Sequence, residues 1–315
     1  MTLIWIIVGI LALLLAAVIF VAWALSSMIV HPKVWDYYKC VDEEVSRGNF
    51  TREWFDGECK LEEFYLPSQY GYRLHCALWP HKQGACFEDG KARVAVIVHG
   101  YTYCLIGSLK YAAILHELGF DCVLYDHRNH GLSDKAPTTM GYYESRDLST
   151  VCDWARERFG SDCVLGTHGE SMGAATVMLH ASQYPGLAFV IEDCGYSDLR
   201  AQLKHNVKQM YHLPYSPFVP LASLLSRLRG GVYFRNVVPV ESVAKCDTLP
   251  MLFIHGEKDD FVPFPMVHEV YSAKPGKKQI KTFPNAKHAE SFTSDPQEYR
   301  ACVSAFLLDA GVIRA

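Results

Sequence analysis

The sequence predicts an α/β fold, a mostly parallel sheet with helices on both faces, preceded by one transmembrane helix. Three observations lead there. Twenty-six of the first 30 residues are apolar and none carries a charged side chain. Short, continuously apolar runs then alternate with amphipathic helical patterns, as strands buried on both faces do in a parallel sheet. Finally, a serine flanked by glycines, Gly169-Glu170-Ser171-Met172-Gly173, stands between one such run and the helix that follows it.

Residues 3–25 are unbroken hydrocarbon apart from Gly9. Twenty-three helical residues at about 1.5 Å each span roughly 34 Å, enough for a bilayer core. Trp5 and Trp23 lie near the two ends, where amphipathic rings favour the headgroup region. Ala22-Trp23-Ala24 has the small-x-small pattern of a signal-peptide cleavage site, but the run is too long and lacks a basic leader, so the expectation is a retained single-pass anchor. Lys33, Lys39, Arg47 and Arg52 follow the helix and no basic residue precedes it, which leans towards a cytoplasmic domain. The 11 Cys, odd in number and without a CxxC pair, read as reduced, scattered thiols rather than a disulfide framework.

The expected organisation is an anchor over 1–30, a juxtamembrane stretch over 31–60 and one catalytic domain over 61–315. Strand-like runs at 61–66 and 74–79 flank the turn Ser68-Gln69-Tyr70-Gly71 and predict an antiparallel opening. Strands then fall at 93–98, 121–125, 163–167 and 187–192, with helices at 107–118, 144–159 and 172–183 between them. The alternation resumes with strands at 251–255 and 280–283 and helices at 267–272 and 298–308. Between about 195 and 249 it stops. That stretch carries helical patches (Leu199, Leu203, Val207, Met210, then Leu221, Leu224, Leu225, Leu228) divided by Pro214, Pro217 and Pro220, and reads as a helical lid insertion.

A net charge of −4 without a basic run argues against nucleic acid as a partner. The chemistry centres on Ser171. A G-x-S-x-G pentapeptide arises by chance about 0.1 times in such a length at average Gly and Ser usage. Placed between strand and helix, it describes a tight turn that lifts the hydroxyl into the open, with no room for side chains at Gly169 and Gly173. A serine nucleophile requires a base, itself oriented by an acid. Candidates sit at the ends of later strands: Asp259 or its neighbour Asp260 after the strand at 251–255, and His288 after that at 280–283. His127 and His130 in an HRNH sequence raise metal binding, but no third ligand with suitable spacing lies nearby.

These residues give the chain a specific resemblance to the α/β-hydrolase superfamily, covering it from about Leu61 to the end. The order Ser171, Asp259, His288 is that family's order. His255-Gly256-Glu257-Lys258-Asp259-Asp260-Phe261-Val262-Pro263 is similar to its H-G-x-x-D-x-x-V-P segment and implies Asp259 as the acid. Asp193, ending an earlier strand, matches the alternative acid position implied by the same resemblance. Residues 126–133 resemble its D-x-R-x-x-G-x-S loop. His99-Gly100-Tyr101 resembles its oxyanion loop, implying the backbone N–H groups of Tyr101 and Met172 as donors. The implied protein is a serine hydrolase without metal or organic cofactor, resembling lid-bearing carboxylesterases, acylglycerol lipases and serine aminopeptidases. A membrane anchor and apolar lid tilt the expected substrate towards esters of small or lipid-like alcohols. The alternatives are an amide-cleaving aminopeptidase, with Glu170, Asp198 or Glu241 holding a substrate amine, and a non-catalytic binding protein on the same scaffold.

Overall fold

The computed structural model describes all residues except 82–86, 88 and 315. The apolar opening forms one 29-residue helix, α1 (Thr2–Val30), long and apolar enough to cross a membrane. Two short helices follow, α2 (Tyr37–Ser46) and α3 (Arg52–Gly57), whose N-termini are capped by the side chains of Asp36 and Thr51.

The sheet has eight strands in the order β1-β2-β4-β3-β5-β6-β7-β8. They are β1 (Glu62–Pro67), β2 (Arg73–Trp79), β3 (Arg93–Val98), β4 (Asp121–Tyr125), β5 (Val164–Glu170), β6 (Phe189–Asp193), β7 (Met251–Gly256) and β8 (Lys278–Phe283). β2 runs antiparallel to both β1 and β4, as the turn at 68–71 predicts for the opening pair, and the other pairings are parallel. The helices are α4 (Leu109–Glu117), α5 (Glu144–Phe159), α6 (Met172–Ala181), α7 (Leu199–Tyr211), α8 (Phe218–Gly230), α9 (Pro239–Val243), α10 (Pro265–Ala273), α11 (Ser291–Ser294) and α12 (Pro296–Asp309). Strands β3, β4, β6 and β7 are buried along their whole length, so no alternation is visible in their sequences. Two apolar clusters cover the two faces of the sheet, one under α4 and α12 and one under α5 and α10.

Two expectations are corrected. The juxtamembrane stretch over 31–60 is part of the folded body: Tyr37, Cys40, Val41 and Cys59 are buried in the same cluster as α4 and α12. The helix expected over 107–118 opens as a 3₁₀ turn, Leu105–Ser108, before α4 begins at Leu109. Of the cysteines, nine are buried and Cys302 is half-buried, all as free thiols among the described residues, and Cys86 lies outside them.

From β3 the chain crosses to β4 on one side and from β4 back to β5 on the other, so the loops after β3 and β5 open a crevice at the sheet's carboxyl edge. The loop after β4 props that crevice. Asp126 accepts the backbone N–H groups of Leu105 (2.7 Å) and Leu132 (2.9 Å) and a hydrogen bond from His75 Nδ1 (2.7 Å). Arg128 is buried beside Asp147 at 2.8 Å, with the rings of Tyr70, Tyr72 and Tyr143 packed around its guanidinium. Removing one partner of a buried pair leaves the other charge uncompensated. Arg128→Ala is therefore expected to destabilise the fold by about 3–5 kcal/mol, read as a lowered urea midpoint in detergent; an unchanged midpoint contradicts the role given to this pair.

Candidate active site

Ser171 occupies the turn between β5 and α6 with φ of 56° and ψ of −114°, a strained conformation for a residue with a side chain. The flanking glycines are required by contact. A Cβ on Gly169 would lie 2.3 Å from the carbonyl oxygen of Gly173, and one on Gly173 would lie 2.2 Å from that of Val98. Only with both side chains missing can α6 start this close to the end of β3. The register Val98↔Gly169 brings residues 99–101 beside the serine, and a Cβ on Gly100 would be 3.5 Å from that of Ser171.

Ser171 Oγ is 2.9 Å from His288 Nε2, and His288 Nδ1 is 2.7 Å from Asp259 Oδ2. An ionised carboxylate only accepts, so the imidazole carries its proton on Nδ1 and turns a bare Nε2 to the hydroxyl. Asp259 Oδ1 accepts the backbone N–H groups of Phe261 (2.9 Å) and Val262 (2.8 Å). His255 Nε2 donates to the carbonyl of Val262 and lies 3.3 Å from Asp259 Oδ2. Burial alone would raise the acid, but hydrogen bonds from His255 and His288 hold its carboxyl down to about 2.

The other candidates go elsewhere. The backbone oxygen of Asp260 accepts from His205, and its side chain has no part in the arrangement. Asp193 accepts from Ser291 Oγ at 3.0 Å, and burial together with Glu170 pushes it up to about 6. Glu170 is paired with buried Lys110 at 2.9 Å and accepts from Tyr111. Asp198 caps α7 and pairs with Arg200, while Glu241 lies on α9. Of the paired histidines, His130 Nδ1 bonds the carbonyl of Arg128 while its Nε2 accepts the N–H of Thr102. His127 is buried, and burial drives it well below its usual range.

His99 braces the loop at 99–101. Its Nε2 accepts the N–H of His127 at 2.9 Å, so Nδ1 donates to the carbonyl of Gly100 at 2.7 Å. The loop's shape is thereby fixed. Among the described residues, neither Tyr101 nor Met172 donates its backbone N–H to a protein acceptor, and both line the cavity that holds Ser171. The one cluster with metal-binding spacing among the described residues is Cys194, Asp259 and His288, with ligand atoms within 4.8 Å. Burial pushes the Cys194 thiol far up, and a protonated thiol is a poor metal ligand.

The cavity beside Ser171 measures about 180 Å³. Its walls come from Tyr101, Met172, α7, Phe261 and, unexpectedly, Leu25, Met28 and Ile29 of α1; none of its lining residues is charged. Sequence reasoning missed these α1 residues because a hydrophobic helix looks alike whether it faces lipid or a pocket. It also missed Lys110 and Gln202, whose burial leaves no local pattern. The Gln202 side-chain oxygen is buried in that wall without a protein partner.

The chain belongs to the α/β-hydrolase fold family: a sequence model described as alpha/beta hydrolase fold matches residues 95–189. It is 33% identical over 299 residues to YqkD of Bacillus subtilis, covering 93% of this chain and 94% of that one. It is also 26% identical over 218 residues to the lysophosphatidylserine lipase ABHD12 of Macaca fascicularis, covering 65% of this chain and 52% of the relative. The esterase Pf2001 of Pyrococcus furiosus has the same fold, with a TM-score of 0.64 at 21% identity over 83% of this chain and 95% of its own.

The depressed value of Asp259 has a consequence for stability. Its native value, about 2, lies below the ordinary 3.8, so the ionised form stabilises the fold at neutral pH and that contribution fades as pH falls towards 2. The gap in unfolding free energy between wild type and Asp259→Asn is expected to narrow by about 1 kcal/mol from pH 6 to pH 3. A gap that stays constant contradicts the charge-holding role of the His255 and His288 bonds.

Proposed function

We propose that this protein is a membrane-anchored serine hydrolase that cleaves carboxylic esters of lipid-like acyl groups. The observation that carries the reading is the hydrogen-bonded chain from Ser171 through His288 to Asp259, opening into an uncharged, largely apolar cavity. In this mechanism His288 Nε2 takes the hydroxyl proton as Ser171 Oγ attacks the ester carbonyl. The oxyanion that forms is met by the backbone N–H groups of Tyr101 and Met172, the latter at the positive N-terminus of α6. Collapse of the tetrahedral species passes the proton from His288 to the leaving alcohol. Water, activated by the same imidazole, then releases the acid and restores the serine. Asp259 keeps the imidazole in one tautomer and balances its charge while it is protonated.

The apolar walls favour an acyl chain over a charged substrate, and the lipase name of the ABHD12 relatives points the same way. An aminopeptidase needs a free carboxylate for the substrate amine. Glu170 is neutralised by Lys110, Asp198 by Arg200, and neither they nor Glu241 lines the cavity, so the ester reading is preferred. A binding protein would have no use for a strained serine hydrogen-bonded to an oriented imidazole.

Anchoring through α1 rests on its length and charge-free sequence. Cleavage at Ala24 would remove buried Ala22 from the body, which favours retention of the helix. The basic residues that follow α1 favour the cytoplasmic side. α7 and α8 serve as the lid: α7 roofs the cavity and α8 packs on α1.

Hydrolysis of p-nitrophenyl esters from acetyl to palmitoyl by the full-length protein in detergent, with labelling by a fluorophosphonate, tests the reading. Ser171→Ala is expected to abolish labelling and reduce kcat by about 10⁴-fold or more. Labelling that persists in Ser171→Ala rules out the assigned nucleophile, and silence across the series rules out ester hydrolysis.

A further inference from the structure

The last two turns of α1 are built into the domain. Ala22, Ser26 and Val30, spaced four apart, are buried, as are Ala222, Ser226 and Gly230 with the same spacing on α8. Small residues at this interval let two helices approach closely. Ser26 Oγ and Ser226 Oγ are 3.1 Å apart, and a Cβ on Gly230 would lie 3.4 Å from Val30, so the two helices run side by side in the same direction. The end of α1 is tied down further. The carbonyl of Val30 accepts the N–H of Thr138 at 2.9 Å, and that of Met28 accepts the hydroxyl of Tyr101, which lines the serine cavity.

This docking fixes where the bilayer begins. Residues 2–21 precede the first buried residue, Ala22. At about 1.5 Å each, 20 residues cover about 30 Å, the thickness of a hydrocarbon core, which sets the interface near Trp23. Met28 lies five residues further along, about 8 Å beyond that boundary. On the other side of the cavity stand Met210 and Tyr211 of α7, with the Tyr211 hydroxyl 3.7 Å from Met28 Sδ. Met28, Met210 and Tyr211 are 48%, 55% and 40% exposed, large apolar side chains at the rim of a cavity whose other end is Ser171. Leu224 and Leu228 are exposed on α8, on the face turned away from α1 but level with residues 24–28 through the Ser26–Ser226 contact. Apolar surface gathered here matches a surface that meets lipid rather than water.

We propose that α1 is a wall of the acyl pocket as well as an anchor, and that the acyl chain of the substrate enters from the bilayer along α1, between Met28 and the end of α7, where the contact of Tyr211 with Met28 parts to admit it. The inference rests on the ester-hydrolase reading above. A cavity of about 150 Å³ accommodates a benzene ring, so the 180 Å³ here holds roughly seven carbons. A longer chain must leave through the rim. A lipid in the adjoining leaflet already lies alongside α1 with its ester outward. Rising by about one and a half helical turns brings that ester towards Ser171 while the distal chain stays in the bilayer. A cavity of this volume suits one acyl chain.

The test uses full-length wild-type protein in phosphatidylcholine vesicles and a fluorophosphonate carrying an eight-carbon chain that ends in a photoreactive diazirine. After attachment to Ser171 and illumination, adducts are expected on residues 25–29 and 210–211, located by mass spectrometry of the peptides. Attachment to Ser171 with adducts confined to other walls overturns the entry route and leaves the hydrolase reading intact. No attachment at Ser171 overturns both. As a second arm, Leu25→Trp is expected to lower the ratio of kcat/KM for a 16-carbon over a two-carbon ester at least tenfold. Leu15→Trp, on the exposed part of α1, keeps the wild-type ratio. An unchanged ratio in Leu25→Trp counts against α1 as a pocket wall.

Discussion

The approach of α6 to the end of β3 is the contact on which the site depends. With a Cβ on Gly173 placed 2.2 Å from the Val98 carbonyl, the helix can start where it does only if that atom is missing. From this closeness follow the strained backbone of Ser171, the adjacency of the His99-Gly100-Tyr101 loop and the N–H of Met172 at a helix N-terminus, without a protein acceptor among the described residues. The strain is sustained by neighbours that have little freedom of their own. Ser171 donates its backbone N–H to Asp193, and the loop beside it is pinned by His99 and His130. The geometry is therefore preorganised rather than assembled on demand, which is what stabilising a developing oxyanion requires.

Around this point the protein separates its buried charges by task. Asp259 is held ionised by two histidines and two backbone amides, where a fixed negative charge is needed beside His288. Glu170, next to Ser171 in sequence, is instead neutralised by Lys110 and turned towards Tyr111. Two carboxylates near one imidazole would compete for its orientation. Pairing one of them with a lysine removes the competition.

The N-terminal helix joins two roles that are usually described separately. Its first 20 residues face outward along their length, while its last two turns are packed by small residues against α8 and contribute side chains to the cavity. The bond from Tyr101 to the Met28 carbonyl links that helix to the loop bearing a proposed oxyanion donor. The proposed anchor and the wall of the cavity are thus one helix.

Much of this was legible in the sequence because it is written locally. Buried parallel strands are continuous apolar runs, an elbow demands glycine at two fixed positions, and the acid and base follow strand ends in a set order. The strand boundaries moved by no more than three residues, since hydrogen-bonded pairing rather than composition sets where a strand stops. What sequence could not supply depends on distant segments meeting. An apolar side chain in α1 reads the same against lipid, against α8 or against substrate, so Leu25, Met28 and Ile29 gave no sign of lining the cavity. The residues of 31–60 looked like a polar, aromatic connector because their buried face, Tyr37, Cys40, Val41 and Cys59, is divided between one short helix and a loop. Glu170 could not be separated from Asp198 and Glu241 until Lys110, sixty residues away, was seen beside it. Sequence by itself determined the class of fold and the candidate groups. Tertiary structure alone decided which charges are neutralised and which surfaces enclose the cavity, because both are set by contacts between residues far apart in the chain.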